Sequence, residues 1–86
     1  MHTIHLPEEY AMILQQVDEI GEEDFEVLAE SVGVDRPRLS HIIQALRNRG
    51  LLHIRYTAQD TWISLSSRGQ RLMSQLWSDG SLGYGY

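Results

Sequence analysis

Apolar residues in the first half of the chain recur at helical spacing in three successive segments. The three stripes consist of Tyr10, Ile13, Leu14 and Val17, then Phe25, Leu28, Ala29 and Val32, then Leu39, Ile42, Ile43 and Leu46. In each stripe the residues stand at positions i, i+3, i+4 and i+7, which form one face of an α-helix. Pro7 opens the first segment, and a glycine closes each of the three. The pattern therefore predicts three amphipathic helices.

The second and third predicted helices are joined by a very short turn. Only Gly33 and Val34 separate the second helix from Asp35, whose side chain is suited to cap the third. Pro37 is compatible with that helix because N–H groups in a first turn have no helical partners. Such a short connection makes two helices cross steeply, as in a helix-turn-helix. Proteins that never bind DNA also contain such corners, so the unit alone leaves its function open.

After Gly50 the apolar period changes to two, which is typical of β-strands. The predicted pairs on the apolar face of this hairpin are Leu52 with Leu65, Ile54 with Ile63 and Tyr56 with Thr61. The predicted pairs on the other face are His53 with Ser64 and Arg55 with Trp62. A shift by one residue would expose the apolar set of one strand, so the pattern favours this register. Trp62 then stands outside the core, where it is able to stack on Arg55 or to contact a protein.

A fourth helix is predicted after the hairpin, capped by Ser66 or Ser67. Its apolar residues are Leu72, Met73, Leu76 and Trp77. The 86 residues have room for one domain, residues 1–77, and residues 78–86 are rich in glycine and predict a flexible tail. The predicted fold class is mainly α with a small β-hairpin (α+β). It is a winged helix-turn-helix with a three-helix core, a two-stranded wing and a C-terminal helix.

Charge is distributed unevenly along the chain, although the net charge is only −5. Residues 1–30 contain nine acids and neither lysine nor arginine, whereas all seven arginines lie between residues 36 and 71. Such an asymmetry indicates an anionic partner, and guanidinium groups fork well onto phosphate or guanine. Alternatively, the two halves neutralise each other within the fold. Composition does not choose between these explanations.

The sequence disfavours several classes of protein. It has no cysteine, which excludes disulfides, thiolate metal sites and cysteine nucleophiles. Its apolar runs are short and its first residues have no secretory signal, which predicts a cytoplasmic protein without a membrane partner. His2 and His5 have no further ligands nearby in sequence, so neither a metal nor another cofactor is expected. Since no nucleophile, base or carboxylate pair forms a catalytic pattern, we expect no enzyme.

Three stretches form a recognisable combination: residues 28–36 (LAESVGVDR), 39–52 (LSHIIQALRNRGLL) and 65–72 (LSSRGQRL). Together they resemble the MarR-type and related prokaryotic winged-helix regulators. The resemblance implies sequence-specific binding to double-stranded DNA by a small transcriptional regulator, with helix three (about 36–49) in the major groove and hairpin 52–65 as the wing. Family members usually carry an arginine near the wing tip, whereas Arg55 is the only arginine of this wing. They also have terminal helices that form a dimer and an effector pocket, which this chain lacks, so small-molecule regulation is not implied.

The outward face of the third helix contains side chains that are suited to contact DNA. Its members are Arg36, Arg38, Ser40, His41, Gln44 and Arg47. Arginine binds guanine edges or phosphates, and glutamine binds adenine. Arg55 is the candidate on the wing. The alternative explanation is an ordinary solvated polar face.

A homodimer is expected because one small domain offers few contacts for a specific complex. The candidate dimerisation residues are Ile4, Leu6, Leu72, Leu76 and Trp77. A second function, from a different class, also fits the sequence: a winged-helix protein interaction module that does not read DNA. In that case the acidic face, residues 18–30, would bind a basic protein partner and the arginines would serve the structure.

Overall fold

The computed structural model describes residues 6–78, and this part of the chain contains four helices and three strands. In chain order they are α1 (Glu8–Ile20), β1 (Glu22–Asp24), α2 (Phe25–Val32), α3 (Arg36–Asn48), β2 (Leu52–Tyr56), β3 (Thr61–Leu65) and α4 (Ser67–Ser78). The predicted α+β winged helix-turn-helix is confirmed. Of the predicted tail, residues 78–86, only Ser78 lies within the described residues, and it ends α4.

Caps on both sides define the turn between α2 and α3. α2 begins after Asp24, whose carboxylate accepts two backbone hydrogen bonds from the first turn, at 3.0 and 3.3 Å. Gly33 ends α2 with a φ of 70°, a left-handed conformation that glycine adopts without steric cost. Asp35 caps α3 by accepting a hydrogen bond from the N–H of Arg38 at 3.1 Å. The predicted turn and its cap are therefore present.

The apolar stripes of the helices converge with the inner face of the sheet on one core. Its buried residues are Ile13, Leu14, Val17, Leu28, Leu39, Ile42, Ile43, Leu46, Leu51, Leu52, Ile63, Leu65, Leu72 and Met73. All four residues of the third stripe are among them, so the opposite side of α3 is left to solvent. The core thus determines which face of α3 is available to a ligand.

The hairpin has the predicted register, from Leu52 opposite Leu65 to Tyr56 opposite Thr61. A third strand, β1, was not predicted. It pairs antiparallel with β3, so the strand order is β1-β3-β2 and the two-stranded wing extends into a three-stranded sheet. Residues 22–24 are Glu-Glu-Asp, which have low strand propensity and no apolar alternation. They form a strand because the neighbouring edge of β3 offers free backbone groups.

Glu23 is the only charged residue that is buried among the described residues. It lies opposite Ile63 in the sheet, is 7% exposed, and its Oε1 atom accepts no hydrogen bond within residues 6–78. A buried polar atom without a partner costs about 1–3 kcal/mol, so we expect Glu23→Leu to raise the free energy of unfolding by about 1 kcal/mol. Urea denaturation measures this change. A lower midpoint for the variant would contradict the prediction.

Candidate nucleic-acid interface

The polar face of α3 lies in solvent along the whole helix. Its exposed residues include all six that were predicted to contact DNA: Arg36, Arg38, Ser40, His41, Gln44 and Arg47. None of them belongs to the core. The face therefore presents hydrogen-bond donors and acceptors from the first turn of α3 to the last.

Ser40 and Gln44 border a cleft of about 220 Å³ between α3 and the inner face of the sheet. Phe25, Tyr56 and Thr61 contribute to its other walls. Tyr56, the last residue of β2, lies on the predicted face of the hairpin, with Ile54 and Ile63, but it is 66% exposed. Its polar partner Thr61 and its position beside the turn were the signals of this exposure. The cleft joins the exposed face of α3 to the wing in one continuous surface.

Both arginines in the first turn of α3 are paired with glutamates from other helices. Arg36 Nε lies 2.6 Å from Oε1 of Glu26 on α2. Arg38 Nε donates to Oε1 of Glu9 on α1 at 2.7 Å, and its Nη2 donates to the same oxygen. This hydrogen bonding lowers the pKa of the Glu9 carboxyl and raises the pKa of Arg38. Glu9 is therefore held in its charged form.

Arg55 lies on the outer face of the sheet, opposite the core. It is paired across the strands with Trp62, and its Cζ atom is 5.8 Å from the centre of the Trp62 ring. Its Nη2 atom lies 3.1 Å from Oε1 of Glu22 on β1, and the hydrogen bonding to Glu22 raises the pKa of Arg55. The contact with Trp62 agrees with the prediction. However, the guanidinium is on the face of the sheet that points away from the cleft beside α3.

Thr57 closes the tip of the wing. Its N–H and its Oγ1 both donate to the carbonyl oxygen of Asp60, at 2.9 and 3.2 Å, and its Oγ1 accepts from the Asp60 N–H at 2.9 Å. The turn was not readable from the sequence because a threonine side chain stabilises it, rather than a glycine or asparagine. Asp60 is the only charged residue among residues 57–60. The tip therefore offers no cation to a DNA groove.

The ion pairs show that the acidic and basic parts of the chain neutralise each other in part. Three arginines, at positions 36, 38 and 55, pair with glutamates of the acidic first 30 residues. The others form no ion pair within residues 6–78: Arg47, Arg49, Arg68 and Arg71. Internal neutralisation therefore affects the first turn of α3 and the wing, and it leaves the last turn of α3 positively charged.

A groove of about 460 Å³ lies beside α4. Its lining residues are Leu6, Arg49, Leu51, Arg68, Arg71, Leu72 and Gln75. Two predicted dimerisation residues, Leu6 and Leu72, thus lie in the same groove, but Leu72 is only 6% exposed and already packs within the single chain. Ile4 lies outside the described residues, as do the side chains of Leu76 and Trp77. Their dimer role stays a prediction.

Residues 6–78 contain neither a cluster of metal ligands nor a membrane-spanning helix. No cluster of three or more histidine and acidic side chains is arranged to hold a metal ion there. His2 and His5 lie outside residues 6–78. None of the described helices has the length and apolar character needed to cross a membrane.

No family model and no curated protein matches the sequence. Solved structures do match it. BpsR of Bordetella bronchiseptica, whose DNA binding is regulated by 6-hydroxynicotinic acid, is 17% identical over 83% of this chain and 52% of its own, with a TM-score of 0.76. NadR, solved with 4-hydroxyphenylacetate, is 22% identical over 92% of this chain and 58% of its own, with a TM-score of 0.83.

A MarR-like transcriptional regulator of Thermotoga maritima is 14% identical over 85% of this chain and 54% of its own, with a TM-score of 0.76. The chain spans about half the length of these three proteins. At these identities the likeness shows the fold. This chain has the winged-helix fold of MarR-type transcriptional regulators.

Proposed function

We propose that this winged-helix chain is a small transcriptional regulator that reads double-stranded DNA with α3 in the major groove. The observation that carries the proposal is the continuous exposed surface that α3 forms with the cleft and the wing. The winged-helix fold also supports the proposal, because MarR-type transcriptional regulators have the same fold. The protein then acts without catalysis, in the cytoplasm of a prokaryotic cell, where the DNA lies.

Different parts of α3 are suited to different parts of the DNA. Ser40, His41 and Gln44 occupy the middle of the exposed face, and the amide of Gln44 is able to bind adenine N6 and N7 together. Arg36 and Arg38 in the first turn, and Arg47 in the last, are suited to phosphates or guanine. We therefore assign sequence reading to the middle of α3 and orientation on the duplex to its ends.

The wing has a smaller part in this proposal. Arg55 is bonded to Glu22 and lies over Trp62, so a phosphate contact requires the guanidinium to leave both. Tyr56 is exposed and lines the cleft beside α3, and its hydroxyl is able to donate to a phosphate. We therefore expect Tyr56, rather than Arg55, to be the wing residue that is nearest to the DNA.

Gln44→Ala tests the proposal. The variant loses no core contact and gains helix propensity, so its folding stability should change little. Its binding to a duplex site selected from a random library should weaken by about 1–3 kcal/mol if a bidentate adenine contact is lost. Binding to random duplex DNA should weaken much less. Fluorescence anisotropy with labelled duplexes measures both affinities.

Gln15→Ala is the matched control, because Gln15 is exposed on α1 and the chemical change is the same. It should leave the affinity for both duplexes unchanged. If Gln44→Ala binds the selected site as tightly as Gln15→Ala does, α3 does not read bases through Gln44 and the proposal loses its main support.

The proposed regulator acts as a homodimer, which would place two recognition helices about 34 Å apart, on a palindromic site. Sedimentation velocity at micromolar concentration should show a species of twice the chain mass. Leu6→Asp should shift it towards the monomer, because Leu6 lines the groove beside α4. Met12→Asp, at an exposed position on α1, should not. A monomer both free and on DNA would contradict this proposal.

The acidic surface favours a second candidate function, the binding of a basic protein. Asp18, Glu19 and Glu30 are exposed and form no ion pair within residues 6–78, and the apolar side chains of Ile20 and Val27 are about half exposed on the same two helices. A patch of exposed apolar and charged side chains is typical of a protein contact.

The middle of the acidic segment is less available to a partner. Glu22 and Glu26 are bonded to arginines of this chain, and Glu23 is buried. Changing Asp18, Glu19 and Glu30 together to their amides should leave DNA binding intact. Loss of a cellular protein partner by that variant, together with unchanged DNA binding by Gln44→Ala, would favour the second function.

A further inference from the structure

The two arginines at the start of α3 already have anionic ligands within the chain. Oε1 of Glu26 lies 2.6 Å from Arg36 Nε, and Oε1 of Glu9 accepts from both Nε and Nη2 of Arg38. Carboxylates and phosphates bind the same guanidinium donors in the same planar geometry. Three donors that could bind DNA phosphate at this end of α3, Nε of Arg36 and Nε and Nη2 of Arg38, are therefore bonded to glutamates of α1 and α2.

We infer that Glu9 and Glu26 compete with DNA phosphates for Arg38 and Arg36 and thereby set the affinity of the protein for DNA. The inference rests on the proposed function. A phosphate that approaches either arginine must displace the carboxylate or bind beside it. Displacement exchanges one ion pair for another, and binding beside it brings two negative charges together. Both outcomes make the arginine a weaker phosphate ligand than an unpaired one.

The exposure of these pairs makes the exchange feasible. The side chains of Arg36 and Glu26 are 71% and 56% exposed, and those of Arg38 and Glu9 are 60% and 36% exposed. Exposed ion pairs are weak and are screened by salt, so a strongly anionic ligand is able to open them. The glutamates therefore attenuate DNA binding without preventing it. The first 30 residues, which supply both glutamates, carry no lysine or arginine that could hold them elsewhere.

The test compares Glu9→Gln and Glu26→Gln with matched controls. Glutamine has the shape of glutamate and keeps an acceptor oxygen, but it removes the charge. Glu8→Gln removes a charge from the same turn of α1, and Glu30→Gln removes one from α2. Glu8 and Glu30 are exposed and form no ion pair within residues 6–78. The probe is a labelled random-sequence duplex, titrated by fluorescence anisotropy over a series of salt concentrations.

At low salt, Glu9→Gln and Glu26→Gln should each bind the duplex about two- to fivefold more tightly than their controls, the range expected for opening one exposed ion pair. The gain should shrink as salt rises, because both the pairs and the repulsion are screened. In an Arg36→Ala background, Glu26→Gln should bind no more tightly than Glu30→Gln does. This last comparison isolates competition for Arg36 from a general effect of net charge.

Equal gains in the variants and their controls would overturn the inference, because net charge alone would then set the affinity. Weaker binding by Glu9→Gln or Glu26→Gln would also overturn it, since the glutamates would then position the arginines for DNA. If neither the parent nor any variant binds the duplex at low salt, the proposed function itself fails, and the inference fails with it.

Discussion

Raising the salt concentration from about 50 mM to about 200 mM is expected to weaken the binding of each chain to duplex DNA by about 40-fold. Each phosphate that an arginine neutralises lowers log K by about 0.9 per decade of salt. The value counts the three arginines on the exposed face of α3, Arg36, Arg38 and Arg47. A two-fold symmetric dimer would double the slope of log K against the logarithm of the salt concentration. Anisotropy titrations of a labelled duplex at several salt concentrations measure it.

The position of the arginines decides whether this salt dependence belongs to a recognition helix. Changing Arg36 and Arg38 together to alanine should weaken binding and reduce the slope of log K against log salt by about 1.8. Arg68→Ala is the control, because Arg68 lies on α4, beside the groove that also contains Leu6. An equal loss per arginine in both variants would indicate a diffuse electrostatic association rather than recognition by α3.

Gly69→Ala is expected to lower the free energy of unfolding by about 3 kcal/mol, in the upper range for an overpacked site. Gly69 is buried in the first turn of α4, and a Cβ atom there would lie 2.2 Å from the carbonyl oxygen of Leu51 and 3.1 Å from its carbonyl carbon. Backbone atoms cannot rotate aside as a side chain can, so α4 would have to move away from the connection between α3 and β2.

That movement would also affect the contacts that attach α4. The carbonyl oxygen of Leu51 accepts a hydrogen bond from the Ser66 N–H at 3.0 Å. The Ser66 hydroxyl donates to the Gly50 carbonyl oxygen at 2.6 Å and accepts from the Gly69 N–H at 3.0 Å. Of the two serines predicted to cap α4, Ser66 is therefore the one that does so. Its contacts show why the start of α4 lies so close to Leu51.

Gly33→Ala provides the control for this second prediction. No heavy atom lies within 4 Å of a Cβ atom at Gly33, so alanine there would meet only the strain of a positive φ, about 1 kcal/mol. Urea denaturation of both variants separates steric overlap from backbone strain. If Gly69→Ala were as stable as Gly33→Ala, the close packing of α4 against Leu51 would be wrong.

The candidate site was predictable from the sequence only in part. The exposure of His41 and Gln44 follows directly from the apolar stripe of α3, because residues opposite a buried stripe face solvent. The partners of the two first-turn arginines do not follow from it. Arg36 is 10 residues from Glu26 in the chain, and Arg38 is 29 residues from Glu9. Whether these charges meet depends on how α1 and α2 pack against α3.

Sequence by itself determined the helices, the turn at Gly33 and the pairing of Ile54 with Ile63, because the forces that specify them act between near neighbours. Helical stripes repeat within four residues, caps bond to the next turn, and strand alternation selects one parity. The tertiary structure decided that the acidic residues 22–24 form a strand and that Glu23 is buried. Each of these depends on atoms of a segment that is distant in the chain, and the spacing of residues along one segment carries no information about them.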